Sequence, residues 1–269
     1  MSDQSQGVVS SIQSAVSQNQ ISPETGKLVL ESLDDLAVTG CQGVNIDDID
    51  SEDVTLVSVV IDASGSMSQF QQSVIDAYNN SFLKPLSGAK NASSILVSAW
   101  VFSNIYGQDN VRLVHGYTPV PECPRLTKKI YDPNGATPLN DAVYNAQTGI
   151  ISYGQTLRDS GTRTKCIVVV FSDGEENCSS ISASKVRTIS DDLIKQEIYV
   201  LSYIFFGDEK DGDRIAKQIG FPSQHRITAS LGESEIRRIF GAVSASVISA
   251  SQTKISASSL SANAFFANP

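Results

Sequence analysis

The chain has 269 residues, 41% of them apolar, with 20 Lys plus Arg against 29 Asp plus Glu and a formal net charge of −9. That is enough chain to bury one large core. The acidic balance excludes a nucleic-acid backbone binder, which needs a basic face. No apolar run approaches the ~20 residues that span a bilayer, so no membrane partner is expected.

The first 52 residues read as a helical prelude. Val8, Val9, Ile12 and Val16 suggest a short, weak helix. Ser22-Pro23-Glu24 is a helix start, with a capping serine and proline at the first helical position. Leu30, Leu33 and Leu36 give that helix an apolar face up to about residue 39. The acidic run 45–53 lacks the spacing of a calcium loop and reads as a solvated linker. Residues 1–52 are thus expected to form an α-helical hairpin and linker, docked on the main domain or serving as a partner handle. Residues 1–7 carry no basic residue and lead into no apolar core, so they do not read as a secretory signal. Cys41, Cys123, Cys166 and Cys178 lack metal-type spacing, and a cytoplasmic setting is the simplest account of them.

A main domain is expected over 53–252. Residues 56–61 form a nearly unbroken β-branched run, the pattern of a strand buried on both faces of a parallel sheet. A helix follows to about residue 83, stopped before Pro85. Strands are expected at 95–102 and 111–120, joined by the polar turn 107–110 as an antiparallel hairpin at a sheet edge. Thr137-Pro138 opens a helix whose buried stripe is Leu139, Ala142, Val143, Ala146 and Ile150. A second apolar strand covers 166–171. Then come a helix at 184–196, a strand at 198–206, a short helix at 213–219, a short edge strand at 226–229 and a helix at 234–250. The Ser/Ala-rich tail 253–269 is expected to be flexible. Strands alternating with helices predict an α/β fold: a doubly wound, mostly parallel open sheet with one antiparallel edge strand and an N-terminal helical extension.

Both buried strands end on an aspartate. The first runs into Asp62-Ala63-Ser64-Gly65-Ser66, the second into Asp173. Asp62, Ser64 and Ser66 place hard oxygen donors at alternate positions, and Gly65 lets the backbone turn closely. Such oxygens suit Mg²⁺ or Mn²⁺ rather than Zn²⁺. The plainer alternative is helix capping, which serves Ser64 and Thr137 equally well. If the two strands are neighbours at the switch point of the sheet, their loops and the loop carrying Thr137 converge where open α/β sheets bind ligands. Glu175 and Glu176, just beyond Asp173, read as solvated rim residues.

This constellation resembles the metal-ion-dependent adhesion site of von Willebrand factor type A domains. The family's Asp-x-Ser-x-Ser element falls on Asp62, Ser64 and Ser66, its separate threonine on Thr137, and its second aspartate on Asp173. The likeness covers about residues 55–252. The stretch 243–250 is similar to stand-alone bacterial members of tellurium-resistance and stress operons. The resemblance implies that Ser64, Ser66 and Thr137 contact Mg²⁺ (or Mn²⁺), with Asp62 and Asp173 acting mostly through water and hydrogen bonds. It further implies an adaptor that grips an Asp or Glu of a partner protein: an AAA-type ATPase, a kinase or phosphatase of the same operon, or a chelatase-like complex.

Two other functions compete. A metal-dependent hydrolase or phosphatase using Asp62 as nucleophile would need an acid/base two residues on, where Ser64 stands. The histidines, His115 and His225, fall on or beside edge strands, and no Gly-x-Ser-x-Gly elbow or phosphate loop follows a strand. The chain is therefore not expected to be an enzyme. A structural subunit with a vestigial metal site is the other alternative.

Overall fold

The computed structural model describes residues 3–104, 110–253 and 266. Its centre is a six-stranded sheet built from β1 (Asp53–Asp62), β2 (Ile95–Phe102), β3 (Val111–Pro119), β4 (Arg163–Ser172), β5 (Tyr199–Phe206) and β6 (Arg226–Ala229). The spatial order is β3-β2-β1-β4-β5-β6. All pairs are parallel except β2–β3, which is the expected antiparallel edge. The expected turn at 107–110 lies largely outside the described residues, as does most of the tail.

Strand periodicity divides the core in two. Val57, Val59 and Ile61 of β1 face one side with Ile167, Val169 and Phe171 of β4. Leu56 and Val60 face the other with Cys166, Val168 and Val170. The first side is covered by α4 (Gln71–Asp76), a π-helical stretch (Ala77–Leu83), α5 (Lys84–Ser87) and the long α9 (Glu233–Gln252). Phe171 stacks on Phe240 with ring centroids 4.1 Å apart. The expected stop before Pro85 is not observed: the helical path continues to Ser87. The π-helical register just ahead of Pro85 alters the hydrogen-bond ladder where proline has no N–H to give.

The second side carries α6 (Leu139–Asp159), α7 (Ala183–Leu193), α8 (Glu209–Gln218) and the N-terminal segment. That segment is three helices rather than a hairpin: α1 (Asp3–Ser17), α2 (Pro23–Glu31) and α3 (Asp35–Gly40). Ser22 caps α2 as expected, but Asp34 caps a separate α3 by accepting from Ala37 N at 2.7 Å. The second cap breaks the continuous helix that the leucine spacing suggested. These helices dock on α6. Ser11 Oγ lies 2.6 Å from Ser152 Oγ, and the Tyr144 hydroxyl donates to Val29 O at 2.7 Å. Gly149 permits the closest approach: a Cβ there would stand 2.6 Å from Gly40 O. Ile46 and Ile49, inside the expected linker, pack partly buried against the same core.

Candidate metal centre

Sequence order along the sheet reverses between β1 and β4, which lie side by side. Crevices at such a reversal, beyond the carboxyl ends of strands, are where open α/β sheets take ligands. Three loops meet there. The loop after β1 is tied to the loop before α6 by Gly65 N donating to Gly135 O at 3.0 Å and Asn134 N to Ala63 O at 2.8 Å. Gly135 takes a left-handed φ of 75°, which glycine adopts without cost. The loop before α6 is tied in turn to the loop after β4. Thr137 N donates to Asn177 Oδ1 at 2.9 Å, and Asn177 N returns a bond to Thr137 O at 3.2 Å.

The five residues singled out in the sequence, Asp62, Ser64, Ser66, Thr137 and Asp173, are thereby brought to one crevice. Asp62 is fully buried, and Ser64 and Thr137 nearly so; Ser66 is exposed and Asp173 half-buried. Ser64 Oγ lies 3.1 Å from Ser66 Oγ, and Ser66 Oγ donates to Asp173 Oδ1 at 2.8 Å. Oxygens adjacent on an octahedral Mg²⁺ shell stand about 3 Å apart, given Mg–O distances of about 2.1 Å. The hydrogen-bond distances among these oxygens are compatible with that spacing. Thr137 Oγ1 lies on the same crevice: a Cβ on Gly174 would meet it at 3.1 Å and Asp62 Oδ2 at 3.7 Å.

The capping alternatives do not describe what these hydroxyls do. Ser64 precedes the 3₁₀ turn Gly65–Phe70, yet its side chain makes no capping bond. Helix α6 begins one residue later than expected, with Pro138 at its cap position and no side-chain cap from that residue. Its free N–H groups are taken by the loop after β4. Glu176 Oε2 accepts from Asn140 N at 2.8 Å, and Ser179 Oγ accepts from Asp141 N at 3.1 Å. The solvated reading of Glu176 is therefore corrected: its carboxylate also accepts from Cys178 N and Ser179 N. Glu175 is exposed and pairs with Arg214.

Asp62 is held rigidly. Its Oδ1 accepts from Ser64 N at 2.8 Å and its Oδ2 from Ser172 Oγ at 2.5 Å, while the Tyr131 hydroxyl donates to its backbone carbonyl at 2.7 Å. Both carboxylate oxygens thus accept hydrogen bonds from within the protein. Burial pushes the carboxyl up to about 6, against the lowering effect of the Ser172 and Ser64 bonds; nearby Asp173 adds a smaller push in the same direction. Burial also raises the Asp173 carboxyl, opposed by the Ser66 bond. No Lys, Arg or His forms an ion pair with either aspartate among the described residues. Two carboxylates held close without a cation, beside three hydroxyls, form a donor set that fits a hard divalent ion. No cluster of three His, Cys, Asp or Glu side chains among the described residues could hold a metal, so any ion bound here would rely on hydroxyl oxygens.

Ser172 and Tyr131 were not legible as site residues. The register offered a signal for Ser172: Ile61 pairs with Phe171, so one step on, the last residue of β1 meets Ser172. Tyr131 comes from an irregular segment that has no such register.

No protein-family model and no curated protein sequence matches the chain. Its fold is nevertheless similar to solved structures. The pilus adhesin SpaC from Lactobacillus rhamnosus GG matches at 13% identity over 74% of this chain and 30% of the adhesin, with a TM-score of 0.54. The vWF domain of the type V pili tip protein Mfa5 from Porphyromonas gingivalis matches at 11% identity over 76% of this chain and 98% of that domain, with a TM-score of 0.51. Proximal thread matrix protein 1 from the mussel byssus, with a zinc-occupied MIDAS motif, covers 84% of this chain and 51% of its own at 16% identity. Its TM-score is 0.48. The chain thus spans about a third of the SpaC adhesin and half of the byssus protein. Its fold is that of a von Willebrand factor A-like domain.

Proposed function

We propose that the chain is a metal-dependent protein-interaction module. In this reading Asp62, Ser64, Ser66, Thr137 and Asp173 hold Mg²⁺ or Mn²⁺, and the site recognises an Asp or Glu side chain of a partner protein. One observation carries the proposal: oxygen donors from three tied loops converge around two aspartates that no cationic side chain neutralises among the described residues. When bound, the ion would supply a local positive charge and an exchangeable coordination position. The chain's own residues do the rest. Ser172 and the Ser64 N–H fix the Asp62 carboxylate, and Ser66 orients Asp173. The carboxylates, acting mostly through water and hydrogen bonds, would neutralise the ion less than direct contacts would, and the neutral hydroxyls add donors without charge, so the ion would stay able to attract a carboxylate of the partner. Without the ion, the same two carboxylates repel the partner's.

The complete burial of Asp62 supports a binding role over one as an exposed nucleophile. The four cysteines are all free and two are buried, which supports the cytoplasmic setting expected from the sequence. A bacterial adaptor working with an AAA-type ATPase, kinase or phosphatase is the role the resemblance favours. The experiment is affinity capture with the full chain as bait, in Mg²⁺ and in EDTA. A partner retained in Mg²⁺ should be lost in EDTA and with Asp173→Ala, while the circular dichroism of the bait is unchanged. Changing one Asp or Glu of that partner to its amide should reproduce the loss, without adding to that of Asp173→Ala. Equal retention in Mg²⁺ and EDTA would overturn the reading.

A further inference from the structure

Between Asp76 and Asp132 the chain holds six basic residues, Lys84, Lys90, Arg112, Arg125, Lys128 and Lys129, against two acidic ones, Asp109 and Glu122. This balance of +4 sits in a chain of formal charge −9, so the rest of the chain carries −13. Among the described residues, no ion pair involves any residue of this stretch. Even Arg112, half-buried on β3, has an Nη2 without a hydrogen-bond partner. Positive charge is thus gathered in one part of an acidic molecule, with no internal carboxylate paired to it.

The fold turns part of this stretch into a fixed ribbon that leads to the candidate metal centre. Val120, Leu126 and Tyr131 are buried in the core beneath α4, the π-helical stretch and α5. Asn79 of the π-helical stretch clamps the ribbon: its Nδ2 donates to Leu126 O and its Oδ1 accepts from Leu126 N, each at 2.9 Å. A turn follows, in which Ile130 N and Tyr131 N both donate to Thr127 O, at 3.0 and 2.9 Å. The Tyr131 hydroxyl then reaches the Asp62 carbonyl, and Asn134 N the carbonyl of Ala63. With Leu126 and Tyr131 anchored inward, Arg125, Lys128 and Lys129 are exposed. Residues 123–131 carry these three cations and no carboxylate, while Glu122 and Asp132 stand at the two ends. Exposed Lys84 joins them from α5, one turn before Ser87, whose hydroxyl donates to Val120 O at 3.5 Å.

We propose that this ribbon docks an acidic segment of the same partner whose carboxylate is recognised at the metal centre; the proposal rests on that reading. The chain from Lys129 to Asn134, which is tied beside Asp62, spans at most about 18 Å. A partner strand rising about 3.3 Å per residue covers that distance in no more than about five or six residues. Asp or Glu side chains within that distance of the metal-binding residue meet Lys128 and Lys129, and Arg125 lies at most about 14 Å further on. Complementary charge of this kind steers the partner and fixes its register. A nucleic-acid backbone is the poorer occupant: such binders neutralise roughly six to ten phosphates. The ribbon offers three cations bracketed by carboxylates.

The test uses the full chain and two labelled peptides, followed by fluorescence anisotropy. One peptide has a central Asp, a Gly/Ser spacer of about five residues on each side, and then three Glu. The other has Gln in place of each Glu. In Mg²⁺ and about 0.05 M salt the Glu peptide should bind about tenfold tighter than the Gln peptide, an advantage that shrinks towards equality at about 0.5 M salt. Lys128→Ala combined with Lys129→Ala, both exposed changes, should remove the advantage and leave the affinity of the Gln peptide unchanged. Equal, Mg²⁺-dependent affinities of the two peptides would overturn the ribbon and leave the metal reading standing. So would a Glu preference that survives the double variant. Mg²⁺-independent binding of the Gln peptide would overturn the metal reading, and no binding of either peptide at millimolar concentration would overturn the joint recognition. Displacement of the Glu peptide by an eight-nucleotide oligothymidylate at lower concentration than by octaglutamate would assign the ribbon to a phosphate backbone and overturn the proposal.

Discussion

Replacing Asp62 by asparagine should stabilise the metal-free protein while abolishing its response to metal. The carboxyl rises from an ordinary 3.8 to about 6 on folding because it is wholly buried. Between about pH 4 and 6 the folded chain therefore binds more protons than the unfolded one, and stability falls as pH rises through that window. Above it, the full cost of burying the charge is present, about 3 kcal/mol from the pKa difference. Asp62→Asn removes the charge yet keeps an oxygen to accept from Ser64 N, and its amide can donate to the Ser172 hydroxyl, which rotates to accept. The expected gain at pH 7.5 in EDTA is about 2–3 kcal/mol, or roughly 4–10 °C in Tm for a chain of this size. It should shrink as pH is lowered through 6 and vanish near 4. Urea unfolding across pH 4–8, with and without 10-fold excess Mg²⁺ over EDTA, measures both effects. Mg²⁺ should stabilise the parent and leave the variant unmoved. A variant no more stable than the parent in EDTA at pH 7.5, or a gain that persists at pH 4, would refute the reasoning.

Thr137→Ala should cost the fold little, since α6 is capped by Glu176 and Ser179 instead, but should weaken metal affinity at least tenfold; Thr137→Ser should restore it, as calorimetric titration would show. Glu176→Ala should destabilise by about 2 kcal/mol in urea unfolding, because a charged group that satisfies several backbone N–H groups is lost. Gly149→Ala should cost about 1–3 kcal/mol despite alanine's better helix propensity, because its Cβ would press on Gly40 O; protease sensitivity should rise first in the N-terminal helices.

The sheet was readable because its central strands announce themselves. Val57 to Ile61 and Ile167 to Phe171 are buried on both faces and apolar except for Ser58, and both strands give way to aspartates at one end. The carboxylate and hydroxyl types of the crevice were readable for the same reason, since each follows a strand or precedes a helix. What sequence did not reveal is how the loops are held together. Asn177 tying Thr137, and Glu176 capping a helix that lies upstream of it, are contacts between residues 40 and 36 positions apart. No local pattern encodes them. The break between α2 and α3 was hidden differently: Leu30, Leu33 and Leu36 keep helical spacing across it, while a single Asp34 cap decides against continuity. The π-helical stretch at Ala77–Leu83 likewise lacks any spacing signal that would distinguish it from an α-helix.

The central claim, that these oxygens form a divalent-cation site, is tested most directly by titrating Mn²⁺ into the EDTA-stripped full chain and following free Mn²⁺ by electron paramagnetic resonance. One site per chain is predicted for the parent protein. It should be lost in Asp173→Ala with the circular dichroism unchanged, and displaced by excess Mg²⁺. A parent chain that binds no Mn²⁺ at millimolar concentration, or an Asp173→Ala variant that binds it equally well, would contradict the account.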